Sequence, residues 1–164
     1  KDFRDYIFFR LCDIAAENRM PFQVHTGLGQ MKGTNALSLR EVIEAKPNTK
    51  FVLFHGGFPW IDDVAGLLHA YDNVYPDLCW LPLLSPTAAA LALHQFIEIG
   101  QADRLCWGCD TWTSEDSFGA LFAARKVIAR VMDEKVANGY LTQDDALRLI
   151  DDVLYNNAKK LYGL

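Results

Sequence analysis

The chain has 164 residues, 51% of them hydrophobic and 23% charged, with a net charge of -5; this is ordinary composition for one globular domain and excludes an extended disordered chain. No clustered Lys/Arg tract is present to neutralise phosphates, which sets nucleic acid aside as a partner. No apolar run reaches the roughly 18 to 20 residues of a membrane span, and no signal-peptide pattern opens the chain, so membranes are set aside and a soluble, cytoplasmic protein is expected.

The chain opens at Lys1 within a helical pattern, with Phe3, Ile7, Leu11 and Ile14 at helical spacing up to about Asn18 and Pro21 beyond. A chain that starts inside an element reads as a piece of something longer. "PFQVH" predicts a first strand ending at His25, and a Gly-containing loop leads to a helix over about 36–45. "KFVLFH" predicts a second strand ending at His55, then "WIDDVAGLLHAYD" a helix with Ile61, Val64, Leu67 and Leu68 on one side. "NVYPDLCW" is a weaker third strand, since Pro76 removes a ladder donor. A helix follows with Ser85 as N-cap, Pro86 at its first position and Gly100 as its stop. "DRLCWGCD" predicts a fourth strand ending at Asp110. A long helix over about 115–137 and a last helix capped by Thr142, with Asp145 three residues on, complete the chain.

Strands alternating with helices imply parallel pairing and right-handed crossovers. A doubly wound sheet and half of an eight-stranded barrel both fit, and both place function at the C-terminal ends of the strands. Three of the four tips carry a residue able to bind a metal or move a proton: His25, His55 and Asp110. Adjacent strands are about 4.8 Å apart, so the three side chains are expected within about 10 Å of one another. Asp77 at the third tip is a weaker candidate. Each has a plainer alternative, a hydrogen-bonded core imidazole for either histidine and a turn cap for Asp110. His69 and His94 fall inside helical patterns and are given no role. Phe58, Trp60, Trp80 and Trp112 follow the tips and would either wall an apolar pocket or pack loops.

The four cysteines lie in apolar contexts and read as reduced core thiols. Cys106 and Cys109 form a CxxC, but at a strand end rather than at the helix start that would lower a thiol pKa. A thiol redox protein therefore stands as a rival reading.

"QVHTG", "FVLFHGGFPW", "NVYPDL", "RLCWGCDTW" and "LYNNAKKLYGL" together resemble the C-terminal half of the amidohydrolase superfamily, in its amidohydrolase-related branch of metal-dependent TIM-barrel enzymes. The resemblance spans 1–164 as a single domain, an α/β half barrel of four parallel strands with surrounding helices. It implies the fifth to eighth barrel strands, with His25 and Asp110 as metal ligands and His55 and Asp110 as catalytic acid/base groups. It implies a divalent metal, zinc by preference, and hydrolysis of a small carbonyl substrate by a metal-activated water. A related decarboxylase, lactonase or sugar-acid isomerase, or a non-catalytic half barrel, are the alternatives. Two departures from the family pattern are present: no His-x-His pair of the first strand occurs, and "GCD" stands where Gly-Ser-Asp is more usual. The expectations that follow are weak zinc binding and self-association, as a homo-oligomer or as two half barrels.

Overall fold

The computed structural model describes residues 2–99 and 102–164. It packs as two compact units, residues 1–76 and 77–164.

In the first unit, helix α1 (Asp2–Glu17) leads to strand β1 (Phe22–Val24). A 3-10 turn at Ala36–Leu39 runs into α2 (Arg40–Ala45), followed by β2 (Phe51–Leu53), a turn at Phe54–Gly57, α3 (Ile61–Ala70) and β3 (Val74–Pro76). The strands pair in parallel in the order β1-β2-β3, with Phe22, Phe51 and Val74 in register. This sequential order has no switch point among the three strands, as in a barrel wall; one half of a doubly wound sheet shares that order. All three residues of β2 are fully buried, because parallel strands are covered on both faces. Ile61, Val64, Leu67 and Leu68 of α3 are buried as their spacing predicts.

Helix α1 forms where the apolar spacing places it, but its stripe faces outward. Phe3 is 74% exposed and Ile7, Leu11 and Ile14 are each at least 40% exposed, whereas Cys12 and Ala15 on another face are buried. Spacing identifies an apolar face without naming what covers it.

In the second unit, Asp77 pairs with Cys106 in a single parallel bridge, so the fourth strand expected near "DRLCWGCD" is reduced to one residue pair. A four-residue helix α4 (Leu81–Leu84) precedes α5 (Pro86–Glu98), α6 (Ser114–Ala137), α7 (Gln143–Asp151), a π turn at Asp152–Asn156 and α8 (Asn157–Tyr162). The caps follow the sequence: Ser85 accepts from the Ala88 amide, and Thr142 with Asp145 makes a complete capping box. Gly100, the expected stop of α5, lies outside the described residues. The core of this unit gathers Leu93, Phe96, Leu105, Ile128, Val131 and Val153. Among the described residues no helix is long and apolar enough to cross a membrane.

Candidate functional site

The first unit brings its two histidines together. Parallel pairing sets Val24 of β1 beside Leu53 of β2, so the residues leaving the two strands emerge side by side. The His25 and His55 rings lie edge to face, with centroids 4.4 Å apart. His55 is fully buried and His25 is exposed. Thr26, also buried, donates its hydroxyl to the Phe54 carbonyl at 2.7 Å and ties one tip to the other. The Leu28 amide does the same to the Phe58 carbonyl at 2.8 Å.

The two glycines after His55 have separate reasons. The chain leaves β2 through three left-handed residues, His55 (φ 62), Gly56 (φ 55) and Gly57 (φ 72). A Cβ on Gly57 would fall 2.3 Å from Val64 Cγ2, so glycine is needed there for close approach to α3 as well as for backbone sign. His55 itself adopts a conformation uncommon for a residue with a Cβ, and such strain concentrates at functional positions. The strands expected to end at His25 and His55 stop earlier, at Val24 and Leu53, so His25 follows its strand directly and His55 sits in the turn.

The second unit holds Asp110, exposed and again left-handed (φ 52). It lies in an irregular segment beyond the Asp77–Cys106 bridge. A carboxylate oxygen of Asp110 lies within 4.8 Å of the Cys79 sulfur. Behind them Asp77 is buried, and its Oδ1 accepts from the Cys79 amide at 2.7 Å and from the Gly108 amide at 3.2 Å. Burial raises the Asp77 pKa, opposed by these hydrogen bonds and by one from the Cys79 thiol, and reinforced by the nearby charge of Asp110.

Sequence reasoning gave Asp77 a minor place and Cys79 none. Their spacing of two residues was the available signal, but the strand ends at Pro76, so it could not be read as one face of a strand. The aromatic candidates are divided: Phe58 and Trp60 are half-buried beside the His55 turn, Trp80 is half-buried at a left-handed position (φ 60), and Trp112 is 93% exposed.

All four cysteines are free thiols. Burial, then the charge of Asp77, pushes the Cys106 thiol up to about 12, and burial pushes Cys12 up to about 11. A redox CxxC needs the opposite shift. In the native protein Cys109, which is partly exposed, is expected to react first with an alkylating agent, and Cys12 and Cys106 last. Mass spectrometry of a time course checks the order. Rapid closure of a Cys106–Cys109 disulfide instead would revive the redox reading.

The amidohydrolase family model matches residues 1–164. The chain belongs to the amidohydrolase family. A curated relative, Protein fluG of Emericella nidulans, is 32% identical over 150 residues, which cover 88% of this chain and 17% of that protein. Among solved structures, a Lactobacillus casei protein classed as a metal-dependent hydrolase aligns with a TM-score of 0.85 at 22% identity, covering 97% of this chain and 43% of that one. The uronate isomerase of Thermotoga maritima gives 0.83 at 18% identity, covering 98% of this chain and 41% of that one. A TIM-barrel protein from Bordetella bronchiseptica gives 0.62 at 18% identity, covering 94% and 50%. This amidohydrolase chain thus has the fold of a partial TIM barrel and spans half or less of the length of these relatives.

The donor types suit the divalent ion expected of this family. The first unit supplies two imidazoles in contact, and the second a carboxylate beside a thiol. Each set taken by itself is of a kind that a divalent ion of borderline softness accepts.

Proposed function

We propose that this chain is the C-terminal half of a metal-dependent hydrolase barrel that acts on a small carbonyl compound, with zinc as the ion. The observation that supports it best is the contact of the His25 and His55 imidazoles at the tips of neighbouring parallel strands, in a chain of the amidohydrolase family. In this reading His25 and Asp110 hold the ion. Such an ion lowers the pKa of water from about 15.7 toward 7 and polarises a carbonyl.

The chain's own groups do the rest. The Asp110 carboxylate orients the attacking water and accepts its proton. His55, which the 54–57 turn keeps out of bulk solvent, passes a proton to the leaving group, since an imidazole changes charge near neutrality. Phe58 and Trp60, half-buried beside the His55 turn, would exclude water there, as would the half-buried Trp80 in its own unit; Trp112, 93% exposed, would not. Residues 1–164 would act as one domain, and four free thiols fit a reducing compartment such as the cytoplasm. The outward apolar stripe of α1 favours association with a second copy.

Metal analysis and equilibrium sedimentation of the purified chain test this reading. The expected result is an associated species whose zinc is weakly held and lost to a mild chelator. A monomer with one tightly held ion would reject the half-barrel account. A chain that takes up no divalent ion would reject the metal.

An isomerase of a sugar acid is the second reading, favoured by the TM-score of 0.83 to a uronate isomerase. It shares the same proton-moving groups and differs in the product, which retains the mass of the substrate.

A further inference from the structure

We propose that Cys79 is a sulfur donor to the ion held by Asp110, an inference that rests on the metal-dependent reading above. The Cys79 sulfur and an Asp110 carboxylate oxygen lie within 4.8 Å of each other. Two donors on one tetrahedral ion, with metal–sulfur and metal–oxygen distances of about 2.3 and 2.0 Å, stand about 3.5 Å apart. A side-chain rotation of about an ångström closes the difference.

The backbone around both donors is already fixed. One oxygen of the buried Asp77 accepts from the amide of Cys79 itself and from that of Gly108, two residues before Asp110. A single carboxylate therefore clamps the segments that carry the sulfur and the oxygen. The Cys79 thiol also hydrogen-bonds Asp77, so its sulfur has polar neighbours; ligation would give up that bond with the thiol proton. The other buried thiols differ: Cys106 turns its sulfur to the Arg104 carbonyl at 3.9 Å, and Cys12 lies in the core of the first unit.

A thiolate donor has consequences that an imidazole and carboxylate set lacks. It biases the site toward zinc-like and softer ions over magnesium and manganese. Binding releases the thiol proton to solvent, so affinity rises with pH.

Cobalt(II) is the probe, because a thiolate ligand adds a near-ultraviolet sulfur-to-cobalt charge-transfer band. The expected result is that band in the wild-type chain and in Cys109→Ser. In Cys79→Ser the band is absent and cobalt binds at least about 10-fold more weakly, the lower end even for loss of an outer-shell partner. Cobalt bound without the band, or a band that survives in Cys79→Ser, overturns the assignment and leaves the metal reading intact. No cobalt bound at all, by equilibrium dialysis, removes both. Should Cys79→Ser fail to fold by circular dichroism, retention of the band in Cys12→Ser, Cys106→Ser and Cys109→Ser assigns it by elimination, and loss in any of these overturns it.

Discussion

In the full-length enzyme of the proposed function, replacing Asp110 by asparagine is expected to lower hydrolytic turnover by about 100-fold or more, the lower end for loss of general acid/base help. Asparagine keeps the shape and tolerates the left-handed backbone that Asp110 adopts (φ 52), so the variant should fold and melt like the parent. What it loses is the charge that in the proposed function would hold an ion and the basicity that would take a proton from water. The measurement is turnover on a panel of small esters, lactones and amides, with metal content determined on the same sample. Near-parental turnover would leave Asp110 as a turn residue. Lost turnover with a lowered melting temperature would point to folding instead of chemistry.

Gly27→Ala carries the largest expected effect on stability. Its Cβ would lie 1.9 Å from the Phe58 carbonyl oxygen and 2.9 Å from that of Gly57, at a φ of +65. Both obstacles are backbone, so no side chain can swing away. The left-handed cost of roughly 1–2 kcal/mol adds to an overpacking cost of about 1–3 kcal/mol, giving about 2–5 kcal/mol. For a chain of this size that corresponds to a fall in melting temperature of roughly 10 °C. Gly33→Ala is the matched comparison, since Gly33 has a φ of +78 with nothing within 4 Å of the added carbon. It should lose only the conformational part. Equal losses in the two variants would show that the approach of the Gly27 loop to the His55 turn contributes nothing.

Much of the architecture was legible because it rests on local signals. Ser85 with Pro86, and Thr142 with Asp145, start their helices where the residue types place them, and the apolar spacing of α3 points at its own core. The strands were legible in position but not in length. Each spans three residues, and hydrophobic runs such as "KFVLFH" do not mark where pairing stops. The four-residue helix α4 is too short for periodicity to register. The histidines at the first two tips followed from strand order. The place of Cys79 did not, because it depends on Asp77 drawing together amides 79 and 108, which are 29 positions apart in the chain.

The left-handed turn at His55 also governs how any substitution there can be interpreted. With φ 62 and ψ 21, the position selects for backbone tolerance as well as for side-chain chemistry. Histidine, asparagine, aspartate and glycine accept this region more readily than other residues, and β-branched ones least. A valine or leucine at 55 would therefore shift the turn and the neighbouring imidazole while also deleting a ring, and the resulting defect would mix two causes. Asparagine removes the ring and suits the same backbone. Any catalogue of tolerated residues at this site would consequently look conservative even in a protein that had ceased to be an enzyme, because the loop alone would keep the choice narrow.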